Sequence, residues 1–336
     1  MNPVLARELR QRMRGPRAAV ILTLYLLVLV LIVKVLYSAA ENNNQFSGSA
    51  VRDTAALGRT TFHTLVFFVL LLVCFIVPSV TAGAIAGERA RQTLVPLQVT
   101  LLQPRSILLG KLLASLAFVV LLIVATLPLA GISFLLGGVE PGELVKATAM
   151  VLVVAFVLAS LSLACSALLR GTQGATVLAL ALTFCLCVVT FLAYGAQRIT
   201  ADGASTTSQL ALVPNPFMAL ADVLDRRPQD GDGGPGDSPF TAMQSLLRER
   251  RGVAGRFDFL DGNVQVIQGR GVPVTGVEGF PVPAIGPDAV NTDDPAPPLL
   301  DRLPFWIESL VFWAVLSAAA LMLAARRLAV PRPGLV

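Results

Sequence analysis

The ionisable and nucleophilic side chains are few, and their spacing limits the chemistry open to them. His63 is the single histidine of the chain. A proton relay would need a carboxylate beside it at membrane depth, and none is near in sequence, so a structural hydrogen-bonding role is expected. The four cysteines, Cys74, Cys165, Cys185 and Cys187, all lie in apolar runs. None has a histidine or second cysteine at metal-ligand spacing, and Cys185-x-Cys187 is not a zinc pattern. They read as buried structural thiols, with no metal. No His-Glu-x-x-His occurs, and the serines of the apolar runs lack a basic partner. No Gly-x-x-x-x-Gly-Lys-Ser/Thr loop is present to cradle nucleotide phosphates. What remains is a chemistry of recognition. The stretch GERARQTLVPLQVTLLQPRSILLGK (Gly87–Lys111) puts Glu88, Arg89, Arg91 and Lys111 between two runs without Asp, Glu, Lys or Arg, Thr60–Gly87 and Leu112–Val139.

The elements that must position this charged island follow from composition. The chain has 336 residues, 55% hydrophobic and 14% charged, with a mean hydropathy of +0.73. An ordinary soluble domain carries about 25% charged residues. Runs of about 20 apolar residues are long enough to cross a bilayer. Six are predicted: Ala18–Ser38, Thr61–Gly83, Leu112–Leu136, Ala147–Leu169, Gly174–Ala196 and Pro304–Ala325. The first has no Ala-x-Ala-like site at its end and is too long for a signal core, so it reads as a retained anchor. The net charge of +5 does not point to nucleic acid, because the basic residues flank apolar runs and no nucleic-acid module is recognisable.

Lys and Arg set the expected orientation. With both termini in the cytoplasm, the short inner segments collect thirteen of them, and the short outer loops hold Arg52, Arg59 and Lys146. The expected layout is therefore an all-α polytopic membrane protein. Residues 1–17 form a cytoplasmic interfacial helix, and 18–196 hold spans one to five with a cytoplasmic segment at 84–111. Residues 197–303 form an external insertion, 304–325 the sixth span and 326–336 a cytoplasmic tail. In the insertion, RFDFLDGNVQVI (Arg256–Ile267) alternates around Asp261-Gly262-Asn263, a hairpin signal. With the Pro- and Gly-rich stretch after it, this gives a small α+β or irregular module.

Two amphipathic helices are expected on the inner side. In the first, Asn2 can cap and Pro3 suits the first turn. Leu5, Ala6, Leu9 and Met13 share one face, and Arg7, Arg10 and Arg14 the other, a pattern suited to anionic lipid. In the island, Ala90, Leu94, Leu97 and Leu101 recur at helical spacing with Glu88, Arg91 and Gln92 off that face. Pro96 interrupts this pattern near its middle.

The island resembles the signature of ABC-2-type transporter permeases. Their pattern is Glu-Arg, then Thr-Leu, an apolar step, Thr-Pro-Leu and a Gly-Lys opening the next span. Glu88, Arg89, Thr93, Leu94, Leu97, Thr100, Gly110 and Lys111 match in register, with Leu101 where the family usually has Pro. The basic N-terminal helix resembles the family's elbow helix, and NPFMALADVL (Asn215–Leu224) resembles the stretch that often follows span five. The resemblance implies a non-enzymatic permease subunit of an exporter in a bacterial cytoplasmic membrane. It implies a second permease subunit, identical or not, and a cytoplasmic ATPase that binds ATP and Mg. The segment after span two would be a coupling helix. Glu88, Arg89, Arg91, Thr93, Leu94, Leu97 and Thr100 would then form the ATPase interface, with Leu94 and Leu97 docking by burial and Glu88 and Arg89 pairing with partner charges or each other. The alternative is a membrane-anchored scaffold or sensor whose external module binds a ligand or partner.

Other residues draw weaker expectations. Lys34 and Glu308 lie near the outer ends of spans one and six, where they can snorkel. Phe305, Trp306 and Tyr194 suit an outer aromatic belt, and Gly83-x-x-x-Gly87 suits close helix packing.

Overall fold

The computed structural model describes residues 16–42, 50–90, 92, 104–200, 209–225, 238–250 and 304–328. Six of its helical stretches are long and apolar enough to cross a membrane. Span one is α1 (Pro16–Asn42). Span two is α2 (Ala50–Thr81) followed by an eight-residue stub, α3 (Gly83–Ala90). Spans three and four are α4 (Pro104–Leu135) and α5 (Pro141–Leu168). Span five is α6 (Thr172–Phe184), a π-helical turn (Cys185–Val189) and α7 (Thr190–Thr200). A 3-10 turn (Gln209–Leu212), α8 (Pro216–Val223) and α9 (Thr241–Arg250) precede span six, α10 (Phe305–Leu328). No strand occurs among the described residues. The predicted hairpin at 256–267 and the N-terminal helix lie outside them, and the described part of the insertion is helical.

Local chemistry explains several boundaries. Pro104 and Pro141 open α4 and α5, where the missing N–H costs nothing. Span three ends in Gly137 and Gly138, both in the left-handed region (φ +79° and +85°). Their turn is pressed against the start of span two: a Cβ on Gly58 would sit 2.5 Å from the Gly137 carbonyl oxygen.

Span four is the hub. It packs most extensively on span six and also against spans two, three and five. Span six buries Ser309, Trp313, Ser317, Ala320, Ala324 and Leu328, one helical face. Span four is rich in buried Ala and Ser, including Ala155, Ala159, Ser162 and Ser166. Small residues on both helices let the backbones approach closely. Span one joins this core through the buried Tyr25 and Leu29, one turn apart, with Ile21, Leu22, Leu26 and Val33 part-buried beside them, and exposes apolar side chains such as Leu24, Leu27 and Leu31.

At the end of the bundle away from α3, called the far end here, the insertion helices fold over span two. Phe240, just before α9, packs edge-on against His63 and Phe67, with ring centroids 6.0 and 5.7 Å apart. His63 is buried there.

Several expectations are corrected. Phe305 and Tyr194 are buried in the protein and do not form a belt. Cys185 is exposed, unlike the buried Cys74 and Cys165. The Gly83-x-x-x-Gly87 pair makes no close helix contact. A Cβ on Gly83 would meet nothing within 4 Å, and one on Gly87 would sit an ordinary 3.7 Å from the Thr172 methyl. Lys34 is exposed and Glu308 half-buried.

Candidate functional site

The α3 stub is where the charged island enters the bundle, and its residues turn inward. Span two does not stop at Gly83. After Ala82 the helix resumes and carries Glu88 and Arg89 to Ala90. The stub packs against α5 and the start of span five, where Ala82, Ala86, Cys165, Ala175 and Ala179 make a small apolar cluster.

Both charged side chains of α3 are met by other spans. Lys111 sits in the second turn of α4 and is 1% exposed. Its Nζ lies 2.9 Å from Glu88 Oε1 and donates to the Ala84 carbonyl at 3.0 Å. Ala84 and Glu88 are four residues apart, so both acceptors fall on one helix face and one ammonium reaches both. A buried pair of this kind adds little net stability but fixes register, because removing either partner strands the other. The Arg89 guanidinium donates to the carbonyls of Ala167 (3.4 Å from both Nη1 and Nη2) and Leu169 (3.3 Å). These carbonyls close α5, where a helix carries unsatisfied acceptors and partial negative charge. Ser166, one residue before Ala167, takes the N–H groups of Ile85 and Ala86 on its Oγ at 3.0 and 2.9 Å.

The predicted interface residues therefore separate. Glu88 pairs with Lys111, and Arg89 reaches the last carbonyls of α5, so the two lock α3 to spans three and four. Ala90 ends the stub, and the chain turns at Gln92, whose φ is 58°. Ala90 thus does not share an unbroken helix with Leu94, Leu97 and Leu101, because a left-handed residue interrupts the helix between them. Arg91, Thr93, Leu94, Leu97 and Thr100 lie outside the described residues, as do Arg7, Arg10 and Arg14. Sequence reading missed Ser166, which carries no local signal: it is one of several serines on an apolar helix, and its partners lie 80 positions away.

A second polar cluster occupies the far end. Asn215 caps α8 by accepting from the N–H groups of Phe217 (2.9 Å) and Met218 (3.4 Å). Its Nδ2 donates to the Cys187 carbonyl and to Thr190 Oγ1, both at 2.8 Å. Cys187 lies in the π-helical turn, and such a turn frees carbonyls from the usual ladder. At the other end of α8, Asp222 Oδ2 accepts from Trp306 N–H at 3.0 Å, in the first turn of span six. The Trp313 indole donates to the Pro214 carbonyl at 3.2 Å. Almost every residue of α8 is buried, so this short helix ties span five to span six. The motif Asn215–Leu224 was visible in the sequence, but its role as a brace was not.

Among the described residues no group of His, Cys, Asp and Glu is placed to hold a metal, and no arrangement of nucleophile, base and orienting group occurs. The polar chemistry joins helices to helices. No curated protein matches the chain. The family described as ABC-2 family transporter protein matches residues 2–233, which covers spans one to five, the island and α8. With six helices long and apolar enough to cross a membrane and this match over more than two thirds of its length, the chain belongs to the ABC-2 family of transporter proteins.

Proposed function

We propose that this multi-pass transport permease works as the membrane subunit of an ATP-driven exporter in a bacterial cytoplasmic membrane. The α3 end faces the cytoplasm, as the distribution of Lys and Arg indicates. A separate ATPase subunit docks on the island, chiefly through Leu94 and Leu97, and binds the ATP and Mg. A second permease subunit completes the pathway, and the basic N-terminal helix rests on lipid. The substrate moves outward. The observation that carries this reading is the locking of the island's first residues to the neighbouring spans. Glu88 reaches span three through Lys111, and Arg89 reaches the end of span four. A force applied to the segment after Ala90 is thereby delivered to spans two, three and four together.

The chain has no phosphate loop of its own, so ATP hydrolysis in a purified complex reports a partner. The tagged permease, purified from its native membranes in mild detergent, is expected to bring a vanadate-sensitive ATPase activity with it. Leu97→Asp is expected to lose that activity while the permease inserts normally. Absence of hydrolysis with the wild type, or undiminished hydrolysis with Leu97→Asp, would refute the docking role.

A further inference from the structure

A helix that starts inside a bundle leaves its first N–H groups without partners unless a cap supplies an acceptor. The cap is ordinarily the residue just before the first turn, with a Ser, Thr, Asp or Asn oxygen taking the N–H two or three positions on. At the start of α3 that residue is Ala82, which has no side-chain acceptor. Thr81, one place earlier, has a buried hydroxyl oxygen without a hydrogen-bond partner, so it does not substitute. The acceptor comes from another span: Ser166 Oγ on α5 takes Ile85 N–H at 3.0 Å and Ala86 N–H at 2.9 Å. Ser166, Ile85 and Ala86 are all fully buried, so water does not compete for these groups.

We propose that Ser166 is the N-cap of α3, supplied in trans, and that it makes span two a two-piece helix whose inner piece is held by span four. The break lies at Ala82, where the ladder from α2 ends with Ala82 N–H on the Pro78 carbonyl at 2.9 Å. Ser166 differs from its neighbours on α5. The hydroxyls of Ser160 and Ser162 return to their own helix, on the Phe156 and Leu158 carbonyls at 2.8 and 2.6 Å. Ser166 instead anchors the first turn of α3, while Arg89 anchors its last turn to the end of the same α5. The stub is therefore held to span four at both of its ends, while its continuity with the rest of span two is broken at Ala82. Ser166 is a positioning residue for coupling. That use rests on the permease reading above, but the cap itself does not.

Backbone hydrogen exchange tests the cap on the purified full-length chain in nanodiscs, with neither partner nor nucleotide. In Ser166→Ala, exchange at the amides of Ile85 and Ala86 is expected to rise about tenfold, equivalent to about 1.4 kcal/mol. Peptides from span six should not change. Ser162→Ala, an equally buried serine bonded within its own helix, should leave Ile85 and Ala86 at the parental rate. Adding Ala82→Ser to Ser166→Ala supplies a cap in cis that reaches Ile85 N–H, three positions on, and should restore protection at that amide. Parental exchange in Ser166→Ala, or a rise spread evenly over all spans, overturns the proposal. So does a double variant that stays as exposed as Ser166→Ala. A permease that brings no ATPase with it would overturn the exporter reading and leave these rates as predicted.

Discussion

Replacing Lys111 by Met keeps an unbranched side chain one atom shorter and removes its charge. The Lys111 side chain is 1% exposed, and the Glu88 side chain left behind is 21% exposed. Breaking a buried pair by removing one partner costs about 3–5 kcal/mol, because the survivor keeps its desolvation penalty. Glu88 retains some contact with solvent, so the lower figure applies, about 3 kcal/mol. The Ala84 carbonyl also loses a donor, worth about 1 kcal/mol. A large domain shifts by roughly 2–4 °C per kcal/mol. Lys111→Met should therefore melt at least about 8 °C below wild type, read as loss of the monodisperse peak in fluorescence-detected size exclusion after heating. Glu88→Gln should also destabilise, because it leaves the Lys111 ammonium buried without its counter-charge. The double variant Glu88→Gln/Lys111→Met should lie well above the sum of the two losses, since neither charge is then stranded. A melting point for Lys111→Met within about 2 °C of wild type, or strictly additive losses, would refute the view that this pair sets the register of spans two and three.

Three further outcomes are expected. Arg89→Lys should uncouple transport from hydrolysis with little loss of stability, because a single ammonium cannot reproduce the fork that spans the Ala167 and Leu169 carbonyls; equal coupling ratios in reconstituted vesicles would contradict this. Asn215→Ala loses the cap of α8 and both donors to span five, at about 1–3 kcal/mol for each stranded group, and Asn215→Asp should not rescue it, because it sets a buried carboxylate oxygen against the Cys187 carbonyl. Gly58→Ala drives a Cβ to 2.5 Å from the Gly137 oxygen and should abolish the folded peak, whereas Gly83→Ala meets nothing within 4 Å and should melt at or above wild type; the same heating assay separates them.

The spans were legible because a helix crosses a membrane only as an apolar run of about that length, and the bundle contains all six near their expected positions. The end of span two was not. Reading Glu88 and Arg89 as charges that must leave the bundle assumes that water is their only solvent. Lys111 and the last carbonyls of α5 solvate them instead, and both come from segments distant in sequence. The same limit applies to Tyr194 and Phe305. Amphipathic rings at the ends of spans suit an interface, but here the neighbouring helices are close enough to bury them. The island's helical period survives as a pattern in the sequence, yet the φ of 58° at Gln92 separates Ala90 from the leucines that follow.

The π-helical turn of span five has a geometric consequence. An α-helix advances about 100° per residue, so Ala175 and Tyr194, nineteen positions apart in the sequence, would point about 100° from each other on an unbroken helix. A π turn amounts to one inserted residue, and the effective separation of eighteen brings the two directions into coincidence. Both side chains are in fact buried. None of Cys185–Val189 is fully buried, although Leu186 and Cys187 pack part-buried against the core, so the turn adds little side-chain packing. What it adds is a carbonyl, which Cys187 turns to Asn215. Deleting one residue of that turn would thus keep the angular phase of the two halves of span five and still cut its tie to α8. Phase and attachment are separately encoded in the span, and a change of length can alter one without the other.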